Sequence, residues 1–283
     1  MKTRKPAVSG AFYAGTRTEL TEQIIGCFTH RFGPGLVPEP VEHGPRKIFG
    51  IVSPHAGYEY SGPVAANGYS ELAKDGLPQS FVILGPNHTG YGSGVSTVTE
   101  GGWETPMGIA SVDDALAKKI KKSVSIMDVD EAAHAYEHSI EVQLPFLQYL
   151  FKDAAKFVPV CMMMQDLQTS REIARGIVEQ SKDNDILMVA SSDFTHYAPQ
   201  DAANRNDKLA IDAIVRLDDA ALNELGESNK VTMCGYGPIT TLIAAAKMIG
   251  GVKAELLTHK TSGDITGDKS SVVGYSSMVF SRE

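Results

Sequence analysis

Three short stretches set a histidine or aspartate among glycine, proline and serine: Pro54-His55-Ala56-Gly57-Tyr58, Gly85-Pro86-Asn87-His88-Thr89-Gly90 and Ser191-Ser192-Asp193-Phe194-Thr195-His196. Imidazole and carboxylate bind transition metals, and imidazole also moves protons near neutral pH. A single histidine in such a turn is most often a cap or part of a buried hydrogen-bond network. Three such turns at one end of one sheet would converge on a common crevice, and that favours a functional site. The neighbouring Gly57, Gly85 and Gly90 suit tight turns and close approach of a ligand.

A fourth candidate is Cys234, in Met233-Cys234-Gly235-Tyr236-Gly237-Pro238. Pro238 suits the first turn of a following helix. A thiolate just ahead of a helix N-terminus is stabilised by the helix dipole and makes a good ligand or nucleophile. Cys27, in an amphipathic stretch, and Cys161, in an apolar run, read as small buried hydrophobes. The run His134-Ala135-Tyr136-Glu137-His138 matches the H-x-x-E-H pattern of some zinc peptidases. On a helix, His134 and His138 would share a face and hold zinc, with Glu137 activating water. The run lacks the apolar stripe of a core helix, which favours instead one histidine pointing into the pocket of the other loops. Met162-Met163-Met164 reads as core packing, because consecutive side chains cannot face one ion. Trp103 falls in a predicted turn, Trp103–Gly108, that brings it toward a loop surface, where it either lines a pocket or packs. The Gly85–Gly90 turn lacks the lysine and spacing of a phosphate loop.

Elements able to position these groups are visible between them. Apolar, β-branched runs at Ile48–Val52, Phe81–Leu84, Phe157–Cys161, Ile186–Ala190, Ala254–Thr258 and Ser271–Phe280 suit strands buried on both faces. Helical spacing of apolar residues recurs at Ser61–Lys74, Val112–Lys122, Ser139–Phe151, Ser170–Lys182, Asp201–Leu217 and Pro238–Ile249. Thr16-Arg17-Thr18-Glu19 reads as a capping box opening a helix over Glu19–Thr29, and Pro145 reads as disturbing the Ser139 helix. The alternation predicts an α/β layered sandwich. Gly33–Lys47, rich in proline and glycine, reads as a surface loop, so residues 1–283 are expected to form one domain.

The bulk properties agree. A chain of 283 residues with 42% hydrophobic and 21% charged side chains can bury a substantial core, which excludes disordered and fibrous classes. With 26 basic and 34 acidic residues the net charge is −8, which argues against nucleic acid or an anionic membrane as partner. No apolar run approaches the roughly 18 residues of a membrane span, and Met1-Lys2-Thr3-Arg4-Lys5-Pro6 lacks a signal-peptide core. Three widely spaced cysteines argue for a reducing interior. The expectation is a soluble cytoplasmic protein.

The combined series Gly10-Ala11-Phe12-Tyr13, Pro54–Tyr58 with Ser61-Gly62, Leu84–His88, Thr105-Pro106-Met107-Gly108, Glu137-His138-Ser139-Ile140-Glu141 with Leu144-Pro145-Phe146, Ser192-Asp193 with His196-Tyr197, Cys234-Gly235, and Val273-Gly274-Tyr275 resembles the MEMO family over nearly the whole chain. The resemblance implies a fold similar to the class III extradiol dioxygenases, ring-cleaving non-haem iron enzymes: a single-domain α/β/α sandwich with a mixed central sheet. It implies that His55 and His88 are the two histidine ligands of an iron(II), with Cys234 where the dioxygenases use a carboxylate. His196 would be the catalytic acid and base, Asp193 a pocket carboxylate that orients a histidine or polarises substrate, and His138 a pocket histidine that contacts substrate or oxygen. A thiolate keeps the charge of a carboxylate but softens the donor set, so copper and zinc compete with iron(II). The implied substrate is a catechol-like or other vicinal oxygen chelator. The rival reading is a non-catalytic binding or signalling module whose pocket takes a peptide or partner, with redox-active copper or iron. Microbial members of the family are further expected to share a pathway with an AMMECR1-like protein and a radical SAM protein.

Overall fold

A computed structural model describes residues 2–282. The first half of the chain runs β1 (Thr3–Arg4), α1 (Arg17–Thr29), β2 (Ile48–Ser53), α2 (Gly62–Asp75), β3 (Ser80–Pro86), β4 (Val95–Thr97), β5 (Gly102–Thr105), β6 (Gly108–Val112), α3 (Asp114–Ser123) and β7 (Asp128–Val129). Then come α4 (Leu144–Phe151), β8 (Lys156–Met162), α5 (Leu167–Gln180), β9 (Ile186–Ser191), β10 (His196–Ala198) and α6 (Gln200–Val215). The chain ends with α7 (Asp219–Glu227), α8 (Tyr236–Ile249), β11 (Val252–Thr261), α9 (Ser262–Thr266) and β12 (Val272–Arg282).

The strands form one mixed sheet whose centre is the parallel run β6-β8-β3-β9-β2. Phe81, Val82, Ile83 and Leu84 of β3, and Leu187, Met188, Val189 and Ala190 of β9, are wholly buried. Their continuous apolar character is what a strand covered on both faces requires. α1, α2 and α4 pack together on one side, and α3, α5, α7 and α8 on the other, completing an α/β/α sandwich. At one end β12 lies antiparallel to β2, flanked by β11 and β10; at the other β5 pairs antiparallel with β6 and parallel with β1. Among the described residues no helix is long and apolar enough to cross a membrane.

Most expected elements are present, with shifted bounds. Thr16 caps α1, its side chain accepting the Glu19 amide, so the helix starts two residues earlier than expected. Asp113 caps α3 and leaves Val112 to β6. Pro145 stands in the first turn of α4, after a 3₁₀ turn at Glu141–Gln143. It opens the helix rather than disturbing it, because its missing N–H has no partner there. Ala254–Thr258 belongs to an outer strand: Ala254 is buried but Glu255 and Leu256 are exposed. Trp103 corrects a further expectation. The turn exists at Thr105–Gly108, but Trp103 lies inside β5, 2% exposed, edge-on to Phe157 and His134 with the Arg4 guanidinium 4.2 Å over its ring. Cys27 and Cys161 are buried, and burial raises both thiols, to about 12 for Cys27.

Candidate metal centre

Three adjacent parallel strands, β3, β9 and β2, deliver their carboxyl ends to one place, with Ser53 of β2 opposite Ser191 of β9. The turns that follow carry His88, Asp193 and His55. Such strand ends are where an open α/β sheet builds its sites. Cys234 joins them from the loop between α7 and α8. Asp193 donates its backbone N–H to Cys234 Sγ at 3.3 Å, and the Gly235 N–H reaches Ser192 Oγ at 2.9 Å. A Cβ on Gly235 would overlap the Ser191 carbonyl, so only glycine lets this loop lie on the end of β9. The ligand atoms of His55, His88 and Cys234 all fall within 4.8 Å of one another, and the His55 and His88 rings lie 5.2 Å apart, edge to face.

The hydrogen bonds decide which nitrogen each ring presents. Ser191 Oγ gives its one proton to the Ser139 carbonyl at 2.7 Å and accepts the Gln143 amide at 2.8 Å. Its contact with His55 Nδ1, also 2.8 Å, therefore requires His55 to donate. The proton sits on Nδ1, and the bare Nε2 faces Cys234 Sγ at 3.2 Å. His88 Nδ1 lies 2.9 Å from Glu137 Oε1; an ionised carboxylate only accepts, so His88 too carries its proton on Nδ1 and keeps Nε2 free. Burial, reinforced by His88, His138 and His196, lowers the His55 pKa and keeps that ring neutral. Two preset imidazole lone pairs and a sulfur suit a soft or borderline divalent metal. Bonds of about 2.1 Å to nitrogen and 2.3 Å to sulfur would span the 3.2 Å edge at close to a right angle.

The thiol itself departs from expectation. Cys234 precedes α8, yet its pKa is raised, by burial first and by the Asp193 carboxylate second. The helix dipole does not overcome the loss of solvation, and the free protein holds a thiol rather than a thiolate.

Glu137 is the residue whose role the sequence concealed. Its carboxylate accepts His88 Nδ1 and the amides of His88, His138 and Ser139. Burial alone would raise its pKa, but the His88 hydrogen bond, the electrostatic pull of the His88 and His138 rings and the Ser139 amide hold it at about 2. His88, Glu137 and His138 form a second close group of ligand types, but the Glu137 oxygens are taken by protein donors, the arrangement of an outer partner that orients a metal-binding imidazole. Glu137→Gln is expected to weaken metal binding about 10- to 100-fold, measured by competition with a chromophoric chelator; unchanged affinity would remove this role.

The same geometry overturns the zinc-peptidase arrangement. Residues 134–138 run from a turn through bends into irregular chain, not a helix. His134 is buried with Nε2 3.3 Å from Ser96 Oγ, and burial lowers its pKa to about 3. Glu137 is committed to His88 and to backbone amides, so it is not placed to activate a water between His134 and His138. A separate cavity of about 500 Å3, lined among others by Arg4, Trp103, His134 and Tyr136, includes none of the three metal-ligand candidates.

Of the remaining site candidates, His138 and Asp193 contact the ligand candidates directly. The His138 ring stacks on His88 at 4.6 Å and stands 5.5 Å from His55. Asp193 is buried, and its Oδ1 accepts the backbone N–H of His55 at 2.8 Å, so it holds the His55 turn rather than the ring. Burial raises its carboxyl pKa. His196 is half-buried at the start of β10; its Nδ1 lies 2.7 Å from the Thr232 carbonyl, which assigns the proton to Nδ1 and leaves Nε2 bare. Of the three glycines expected at the turns, Gly90 has φ +70°. A Cβ on Gly85 would overlap Ser139 and Ile140, so protein, not a ligand, packs against it.

Fold and site together define an α/β sheet protein with a two-histidine, one-cysteine candidate metal centre at the ends of its parallel strands. The model of the Memo-like proteins matches residues 4–279, and the chain belongs to that family. A MEMO1 family protein of Methanopyrus kandleri is 50% identical over 281 residues, covering 99% of each chain. Another, from Methanothermobacter thermautotrophicus, is 46% identical over 277 residues, 97% of this chain and 99% of that one. Among solved structures, an uncharacterized protein from Escherichia coli K12 shares the fold with a TM-score of 0.54 at 15% identity, over 82% of this chain and all of its own.

Proposed function

We propose that this protein is a metal-dependent oxidoreductase of the class III extradiol dioxygenase type, acting on a catechol-like or other vicinal oxygen chelator. His55, His88 and Cys234 would hold one iron(II), leaving about three positions open. What carries the reading is the pair of bare imidazole nitrogens preset beside a sulfur at the open end of three parallel strands. Iron(II), when bound, would supply the redox chemistry that couples an electron-rich diol to dioxygen. The chain's own groups would do the rest. His196 is suited to take a proton from a substrate hydroxyl at Nε2, because Nδ1 is committed to Thr232. His138, stacked on His88, would contact the substrate or dioxygen, and Asp193 would keep the His55 turn in place.

The thiol in the donor set favours a second reading, in which copper or iron is held for redox or for recognition of a peptide or partner without turnover. One experiment separates the two. Protein loaded with iron(II) without oxygen is then exposed to oxygen and a panel of diols. The wild type is expected to bind one iron per chain and consume oxygen with a diol, while His196→Ala binds the same iron and turns over about 10²- to 10⁴-fold more slowly. Iron bound without oxygen uptake would favour the binding module, and no iron bound would remove the enzymatic reading.

A further inference from the structure

A buried carboxylate and an imidazole lie behind the segment that carries His196, and the metal centre makes no use of them. Asp207 of α6 is fully buried. Its Oδ1 accepts the Thr195 N–H at 2.9 Å, while its Oδ2 has no hydrogen-bond partner among the described residues. His259 Nε2, from β11, stands 3.5 Å from that oxygen. The same nitrogen is 3.3 Å from Asn204 Oδ1, and His259 Nδ1 is 2.9 Å from Ser276 Oγ. Both atoms facing Nε2 are oxygens, so the neutral ring carries its proton there and accepts the Ser276 hydroxyl at Nδ1. Gly274 of β12 closes the remaining side, since a Cβ there would overlap Oδ2. A buried carboxylate oxygen without a donor is costly, and such groups call for an explanation.

The segment above this pair is held under strain. Tyr197, next to His196, has φ +56°, although its side chain is 79% exposed and does not pin it. The Phe194 N–H donates to the Gly274 carbonyl at 2.8 Å, and the Gly274 N–H donates to the Thr195 carbonyl at 2.9 Å. Side chains anchor the segment at two points: Thr232, whose hydroxyl accepts the His196 amide at 2.8 Å, and Asp207 beneath Thr195.

We propose that Asp207 and His259 act as one proton-sharing unit that positions the Thr195–His196 segment. The proposal rests on the reading that His196 works in the cleft. With the carboxylate charged, Oδ1 holds the Thr195 amide by a charge-assisted bond. When the carboxyl takes up a proton on Oδ2, His259 moves its own proton from Nε2 to Nδ1, the Ser276 hydroxyl turns to accept it, and Nε2 accepts the Oδ2–H; the carboxylate charge behind the Thr195 N–H is lost, and the segment loosens. Burial pushes the Asp207 carboxyl up to about 6 and His259 down to about 4, so the added proton goes to the carboxylate as pH falls through about 6. The ionisable groups that act most strongly on the pair are His196 from β10, on Asp207, and Asp264 of α9 and Lys260 of β11, on His259. α7, which also packs on α6, contributes none of these.

The test follows the Thr195 amide by nitrogen–proton NMR of the labelled full chain between about pH 4.5 and 8, without substrate. The wild-type amide is expected to move with one midpoint near 6. Asp207→Asn keeps an acceptor for the Thr195 N–H and should abolish the movement, which a purely structural role would not. His259→Gln should leave the movement but displace its midpoint. A wild-type amide indifferent to pH, or titrating alike in Asp207→Asn, overturns the proposal. Should Asp207→Asn fail to fold, an unchanged midpoint in His259→Gln overturns it and a displaced midpoint supports it. The readout needs neither metal nor turnover, so failure of the iron chemistry leaves this titration standing, and a flat titration leaves the metal centre untouched.

Discussion

Metal affinity of the wild-type chain is expected to rise about tenfold per pH unit between about pH 6.5 and 8.5, and Cys234→Ser to flatten that dependence. The sign follows from the apo site. Burial and Asp193 raise the Cys234 thiol pKa, so across this range the sulfur carries a proton that the incoming metal must displace. Burial and the neighbouring imidazoles lower the His55 pKa, so that ring is already deprotonated and adds nothing to the slope. One proton released per metal makes the binding constant tenfold larger for each tenfold fall in proton concentration. In the proposed centre Cys234→Ser would remove a direct ligand, so its loss of affinity should exceed the roughly 10- to 100-fold expected for an outer partner such as Glu137. Titration calorimetry in two buffers of different ionisation enthalpy counts the proton directly. Binding independent of pH, or untouched by Cys234→Ser, would take the sulfur out of the metal's coordination.

Glu141→Ala should be the most damaging single change away from the metal. Glu141 is completely buried, and its carboxylate accepts Arg4 at 2.6 Å, the amides of Ala7 and Val8 at 2.7 and 3.1 Å, and the Tyr13 hydroxyl at 2.6 Å. Arg4 also donates to the carbonyls of His134 and Glu137, both at 2.6 Å. The N-terminal segment is thus strapped across the turn that supplies Glu137 and His138. Removing one partner of a buried ion pair costs about 3–5 kcal/mol because the other is left uncompensated. For a chain of this size that lowers the melting temperature by roughly 10 °C. Chemical denaturation of the variant would check the value, and a loss within about 1 kcal/mol of wild type would show that water or other groups replace the carboxylate.

His55, His88 and Asp193 were visible as candidates because each follows an apolar run directly, and a strand end followed by a turn is a local signal. Cys234 was visible for the same reason at the start of α8. Glu137 lay in a recognisable pattern that suggested the wrong chemistry: H-x-x-E-H carries weight only on a helix, and residues 134–138 are not helical. Ser191 was part of a noted turn, yet nothing nearby announces that it sets the tautomer of a histidine 136 positions away. Arg4 and Glu141, 137 residues apart, gave no joint signal. Trp103 reads as part of a turn because a glycine-bounded strand of four residues is too short to show its period.

Composition, apolar periodicity and turn chemistry thus determined the layered α/β architecture and the kinds of side chain gathered at the strand ends, since these follow from neighbours along the chain. Strand order decided which nitrogen each imidazole offers, which carboxylate supports it and whether the sulfur keeps its proton. Those properties depend on burial and on partners distant in sequence, and they take their values only once the sheet is assembled.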